Sequence, residues 1–150
     1  MKLAEALQER SDLNRSIEQL KQRLCVNAIV QEKEKPAEDP KRLIKALEED
    51  ISRLEELIRR INRTNCETVC GGRTLTEMIA ERDCLKIKIS AYKELAHAAS
   101  MTGQRARSTE IRLISTVDVA ELQTKIDALS KELRLLDNEI QSANWTTELV

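Results

Sequence analysis

Aromatic residues are almost absent from this sequence, whose 150 residues include no Phe, one Tyr and one Trp. An enzyme pocket built on aromatic rings is therefore not expected. Glycine and proline are also scarce, with three and two copies, and all five fall in three interruptions between helical segments. The composition, 41% hydrophobic and 34% charged, is typical of long helices that pack through Leu and Ile.

Three further absences limit the classes of function. The single histidine leaves no Ser/His/Asp or Cys/His arrangement to propose from spacing, so we predict that the protein is not an enzyme and has no cofactor. Lysine plus arginine number 25 against 26 acidic residues, so no net field attracts nucleic acid or anionic lipid. No apolar run approaches the roughly 18 residues of a membrane span, and no signal-peptide pattern opens the chain. We expect a cytoplasmic protein.

The four cysteines are expected to be reduced, because a 150-residue helical core does not need disulfides and no secretion pattern is present. Cys66 and Cys70, four residues apart in a glycine-containing loop, resemble half of a metal site. Structural zinc requires two such pairs, and the only histidine, His97, lies far along the chain. We therefore predict no metal.

An internal repeat organises the chain. The pattern L-x-E-x-x-x-E-R-x-x-L-x-x-x-I begins at Leu3 and again at Leu75. The repeat predicts a duplication within one domain, 1–150, whose halves are 1–70 and 71–150. The alternative is that two helices rich in Leu and Glu resemble each other by composition alone.

The interruptions divide the chain into four helical patterns, the first from about Lys2 to Cys25. Helices of about 24 residues span roughly 36 Å, and the short loop between the second and third makes those two antiparallel. We predict a mostly α fold, an antiparallel four-helix bundle of two helix-connection-helix units. The predicted caps are Asp39 before Pro40, Thr74 with Glu77, and Asp118 with Glu121.

The second helix has the widest apolar stripe, broad enough to face two neighbours. Two long connections precede the second and fourth helices, and each contains a β-prone run. We predict that Ala28–Gln31 and Ile111–Ser115 pair as a small two-stranded ribbon. The stripe consists of Leu43, Ile44, Leu47, Ile51, Leu54, Leu57, Ile58 and Ile61.

Arginine interrupts the apolar seam at the same point of each half, at Arg10 and Arg82. An unpaired charge there would be costly, so acidic partners are expected, Glu55 or Glu56 for Arg10 and Asp137 or Glu139 for Arg82. Two interpretations remain open: salt bridges that fix helix register, and a pair of arginines that binds an anion. The candidate ligand residues at this pole are Arg10, Arg82, Arg73, Asn65 and Asn144.

Several loop and cap segments resemble the septicolysin-like family of small bacterial proteins. The match extends over nearly the whole chain and includes seam positions as well as loops and caps, and the family pattern does not include the four cysteines. The resemblance implies a bacterial helical protein of unassigned biochemical role, for which no catalytic or binding residues can be transferred. The segments are 1–10, 34–40, 60–65, 72–77, 115–120 and 144–149.

The sequence thus favours a non-enzymatic structural or protein-interaction module. We expect it to form a homo-oligomer through the stripe of the second helix or through the long connections, with a further partner that the sequence does not name. The alternative is a module that binds a small anion at the pole of Arg10 and Arg82, where two helix N-termini converge. A membrane-active cytolysin ranks third.

Overall fold

The computed structural model describes residues 1–102 and 112–150, which form four helices and one two-stranded sheet. The mostly α class predicted from the sequence is confirmed. The elements are α1 (Leu3–Val26), α2 (Pro40–Glu67), β1 (Val69–Cys70), β2 (Arg73–Thr74), α3 (Leu75–Ser100) and α4 (Val119–Thr146).

The predicted caps define the starts of three helices. The Asp39 carboxylate accepts a hydrogen bond from the backbone N–H of Lys41 at 3.0 Å, next to Pro40 in the first turn of α2. At α3, the Thr74 hydroxyl accepts from the Glu77 N–H, and the Glu77 carboxylate accepts from the Thr74 N–H at 2.7 Å. The Asp118 carboxylate caps α4 in the same way, at 3.0 Å from the Glu121 nitrogen.

The chain divides into two compact units, the first Met1–Cys70 with Ala143–Val150 and the second Gly71–Ser142. In the first unit, α1 and α2 are antiparallel. Ser16 donates to Asp50 at 2.6 Å, and Arg23, nearer the end of α1, pairs with Glu38 just before α2. The buried apolar side chains of this unit are Leu3, Ala6, Leu20, Leu43, Leu57, Ile61, Ala143 and Leu149.

The segment after α4 is hydrogen-bonded to the start of α1 and to α2 in the first unit. Lys2 and Glu148 form an antiparallel bridge, in which Leu3 N donates to Thr147 O at 2.9 Å and Leu149 N donates to Met1 O at 2.8 Å. The Lys2 ammonium also pairs with the Glu148 carboxylate at 2.7 Å. Arg60 of α2 donates to the Leu149 carbonyl oxygen at 3.3 Å, so both helices hold this segment.

The second unit has its own core on α3 and α4. Its buried positions repeat those of the first unit: Leu3 and Leu75 are both fully buried, and Ile61 and Ile140 are 1% and 2% exposed. The duplication inferred from the sequence is therefore also a repeat in burial. The buried apolar side chains of this unit are Leu75, Met78, Leu85, Ile89, Ala96, Ile126, Leu136 and Ile140.

The predicted ribbon between the two long connections is wrong for the residues that the structure describes. Residues 28–31 and 112–115 contain no strand, and Ile111 lies outside the described residues. The first connection turns instead: Glu34 N donates to Gln31 O at 3.0 Å, and Lys33 has a φ of 76°. Ile29 is 87% exposed, so no apolar burial stabilises an extended strand there.

The two-stranded sheet lies in the loop between α2 and α3. Gly71 and Gly72 have φ values of 59° and 83°, which two-residue hairpin turns require and which glycine adopts at little cost. A Gly-Gly pair between short β-prone runs is a recognised hairpin signal. The glycine-containing loop expected from the sequence is therefore a hairpin.

Candidate interaction surface

Charged side chains on the inner flank of α2 form a row of ion pairs with one another and with α1, which we call the polar ladder (Glu9, Arg53, Glu56 and Arg60). The Arg53 guanidinium donates to both carboxylate oxygens of Glu9, at 2.6 and 3.1 Å, and to Glu56 at 2.8 Å. Arg60 lies 3.5 Å from the other Glu56 oxygen. The hydrogen bond that Arg53 donates to Glu56 lowers the pKa of Glu56 below its usual value, and the hydrogen bonds that Arg53 donates to Glu9 and Glu56 raise the pKa of Arg53. These contacts therefore join α1 to α2 through Arg53.

The opposite flank of α2 is apolar and exposed. Ile44, Ile51 and Ile58, which we call the isoleucine stripe, recur at every seventh residue and are 46%, 47% and 39% exposed. By contrast, Leu57 is fully buried and Ile61 is 1% exposed. The wide apolar surface predicted for α2 is thus divided, and only the side nearer Leu57 is covered.

The isoleucine stripe has two different edges. On the covered edge, Leu43 and Leu57 are buried and Asp50 is hydrogen-bonded to Ser16 of α1. On the free edge, Glu48 and Glu55 are exposed. Neither carboxylate forms an ion pair within the described residues, so the free edge offers unpaired charges beside apolar side chains. Lys45 and Arg59 flank this edge, also exposed.

Arg10, one of the two seam arginines, does not pair with the predicted acids. It is half-buried on α1 and forms no ion pair with Glu55, Glu56 or any other acid among residues 1–102 and 112–150. Glu56 forms its ion pair with Arg53 instead, a residue that was not among the candidates predicted from the sequence. The available signal was the spacing of Arg53 and Glu56, three residues apart on one helix.

The two candidate arginines of the second unit, Arg73 and Arg82, are paired with carboxylates. Arg82 lies 3.9 Å from Asp137, one of its two predicted partners, and 2.8 Å from Asp83. Arg73 pairs with Glu81 and lies 3.4 Å from Glu139. The positive charge of both side chains is therefore largely balanced within the unit.

The two asparagines lie in the first unit with Arg10, whereas Arg73 and Arg82 belong to the second. Asn65 is half-buried near the end of α2, and Asn144 is 7% exposed on α4. The five candidate ligand residues are thus distributed over both units.

No group of three or more His, Cys, Asp or Glu side chains in the described part of the chain is arranged to hold a metal ion. The four cysteines form no disulfide: Cys25, Cys66 and Cys84 are exposed and Cys70 is half-buried. Among the helices of the described residues, none has the length and apolar character needed to cross a membrane.

Comparison with known proteins places the chain in a family. Residues 10–149 match the model of a family of unknown function, DUF6847. The chain belongs to this family. It is also similar to a functionally unknown conserved protein from Corynebacterium diphtheriae, whose crystal structure gives a TM-score of 0.93 at 41% sequence identity. The match covers 100% of this chain and 99% of that one.

No curated protein matches the chain. Neither the DUF6847 description nor that of the Corynebacterium protein refers to septicolysin, so the septicolysin-like resemblance stays a prediction. Membership of DUF6847 brings no activity, ligand or partner with it, and the candidate function depends on the chain's own surface.

Proposed function

We propose that this DUF6847 protein is a non-enzymatic structural or protein-interaction module of the cytoplasm that associates with copies of itself. The observation that carries the proposal is the isoleucine stripe of α2, whose three side chains are 39% to 47% exposed at heptad spacing. Ile44, Ile51 and Ile58 alternate with Leu47 and Leu54, the arrangement that two-stranded helix pairs use. A contiguous apolar surface bordered by charged residues is typical of an interaction site.

The stripe supports self-association better than the first long connection does. Val26, Ile29 and Val30 are also exposed there, but they lie in or next to an irregular segment without a repeating pattern. The stripe runs about 21 Å along one helix, at 1.5 Å per residue. A surface of this size predicts weak, concentration-dependent pairing rather than a permanent assembly.

Light scattering at two protein concentrations tests the proposal. The apparent mass of the unmodified protein should rise with concentration, whereas Ile51→Lys should remain monomeric because it places a charge within the apolar contact. Gln22→Lys is the matched control, since it adds the same charge at an exposed position of α1, on a different helix from the stripe. A strictly monomeric unmodified protein would rule out self-association.

Small-anion binding is a second candidate function, favoured by one observation. Arg10 is half-buried and has no acidic partner among the described residues, whereas Arg73 and Arg82 are paired with carboxylates. A titration with inorganic phosphate, followed by NMR, should shift the Arg10 side-chain resonance if an anion binds there. The Arg10→Gln variant should lose any phosphate-dependent change in backbone resonances. Equal responses of the two proteins would count against this candidate.

A further inference from the structure

The residues that follow α4, 147–150, lie antiparallel to the start of α1, and we call them the strap. The Leu3 N–H donates to the Thr147 carbonyl oxygen at 2.9 Å, and the Leu149 N–H donates to the Met1 carbonyl oxygen at 2.8 Å. The main chain of the strap is therefore held by residues that are far away in the sequence.

The end of the strap is held by α2. The Val150 N–H donates to the hydroxyl of Thr64, a residue that is 0% exposed, at 3.0 Å. The Arg60 guanidinium donates to the carbonyl oxygen of Leu149 at 3.3 Å and to that of Val150 at 3.1 Å. The strap thus joins the start of α1 to the last turns of α2 and contacts a buried polar side chain.

One apolar side chain anchors the strap. Leu149 is 8% exposed, whereas Val150 is 53% exposed and Glu148 is exposed as well. The helix beside it is anchored more firmly, since Leu57 and Ile61 are both buried. A segment with few buried apolar contacts opens locally more often than the helices against which it lies. The strap has this character.

Glu148 carries the only ionisable side chain of the strap. Its carboxylate lies 2.7 Å from the Lys2 ammonium and 3.2 Å from the Met1 ammonium. The hydrogen bonds from these two groups lower the pKa of Glu148 below 4.5. Acid therefore acts on the side chains of the strap through this one carboxylate. The charged groups around the strap are Met1, Lys2, Glu5, Glu56 and Arg60.

We propose that the strap opens and closes while the helices stay folded, and that the Glu148 carboxylate controls how often it is open. In the closed state the ionised carboxylate attracts two cations, and this attraction is lost when the carboxylate is protonated or removed. Opening frees the Thr64 hydroxyl and the Leu3 N–H from their strap partners. The strap is thus an acid-sensitive cover over the first unit. The isoleucine stripe takes no part in it, so this inference is independent of the proposed self-association.

Amide hydrogen exchange of the full chain, followed by NMR, tests the proposal. The Leu149 and Val150 amides should be less protected than that of Ile61 in α2, because the strap opens without the helix. Glu148→Gln should lower the protection factors of both strap amides about fivefold at neutral pH and leave that of Ile61 unchanged. The matched control is Glu32→Gln, which removes the same charge from an exposed residue of the first connection and should leave the strap unaffected.

The acid dependence is a second measurement on the same amides. Strap protection in the unmodified protein should decrease as the pH falls below 4.5, the ordinary pKa of a glutamate, and should approach that of Glu148→Gln. The Glu148→Gln variant isolates Glu148 from Glu5 and Glu56, which also titrate in acid.

Three results would overturn the proposal. Equal protection of the strap amides and Ile61 would show that the strap opens only when the unit unfolds. Unchanged strap protection in Glu148→Gln would remove the carboxylate as the controlling group. An equal effect of Glu32→Gln would indicate a general response to charge and not a contact of the strap.

Discussion

Single side chains decide where the helices of this protein begin, and Thr74 is the clearest case. Its hydroxyl accepts from the Glu77 N–H at 3.2 Å, while its own N–H donates to the Glu77 carboxylate at 2.7 Å. Thr74→Ala removes one acceptor at the start of α3 and should lower the free energy of unfolding by about 1 kcal/mol. Urea denaturation measures the change. Thr74→Ser keeps the hydroxyl and should retain most of the stability, so an equal loss in both variants would contradict the capping role.

Leu57 and Ile58 are adjacent in sequence and differ in burial. Leu57 is fully buried, whereas Ile58 is 39% exposed. Leu57→Ala leaves a cavity in the first unit and should cost about 2 to 5 kcal/mol of unfolding free energy. Ile58→Ala should cost less than about 1 kcal/mol. The unfolding free energies of the two variants are compared by denaturation at low protein concentration, where self-association does not contribute. Equal losses would show that the stripe is covered in the isolated chain.

At the scale of elements, the antiparallel pair of α1 and α2 depends on Arg53. Its guanidinium holds Glu9 of α1 and Glu56 of its own helix. Arg53→Gln should cost about 1 kcal/mol, and the loss should shrink at high salt because the side chain is one-third exposed. Arg59→Gln is the matched control, since Arg59 is exposed and forms no ion pair in the described residues. Urea denaturation at low salt should give a lower free energy of unfolding for Arg53→Gln than for Arg59→Gln. Identical denaturation curves would show that the ion pairs of Arg53 do not contribute to stability.

The elements also show which features a sequence can predict. The cap of α2 at Asp39 and that of α3 at Thr74 are local, because the side chain and the N–H that it binds are two or three residues apart. The exposed stripe was not predictable in this way. Ile51 and Leu57 are equally apolar, and which of them is covered depends on tertiary packing that the sequence does not specify.

The paired ribbon was a wrong prediction for a related reason. The β propensity of residues 28–31 is real but weak, and it stabilises a strand only where a partner and an apolar surface are present. The candidate ligand residues depended in the same way on neighbours that the sequence does not specify. Arg82 lies near Asp137, one of its two predicted acidic partners. Glu56, one of the two acids predicted for Arg10, forms an ion pair with Arg53 instead.

Across the whole molecule, the sequence repeat is matched by burial at Leu3 and Leu75 and at Ile61 and Ile140, but not by the partners of the ion pairs. Glu9 and Glu81 occupy equivalent positions of the repeat, and each binds an arginine. The arginine comes from α2 in the first unit, as Arg53, and from β2 in the second, as Arg73. Burial thus follows the helical repeat, whereas the ion pairs of the two units differ. The exposed isoleucine stripe of α2 is, like the ion pairs, a feature that the two units do not share.

Both units contain glutamates whose ionised form is stabilised in the folded state, which makes the whole molecule sensitive to acid. The hydrogen bond from Arg53 lowers the pKa of Glu56, that from the Thr74 N–H lowers the pKa of Glu77, and that from Lys2 lowers the pKa of Glu148, each below the ordinary 4.5. Because the folded pKa is the lower one, the stabilisation is complete above pH 4.5 and is lost as the pH falls through the depressed values.

We therefore expect the free energy of unfolding to be nearly constant from about pH 7 to pH 5 and to decrease below about pH 4.5. Urea denaturation across this range measures the decrease. Glu148→Gln removes one of the three carboxylates, and its curve should approach that of the unmodified protein at low pH, where Glu148 is protonated in both states. A stability difference between the two proteins that stays the same at every pH would show that Glu148 contributes through packing and not through its charge.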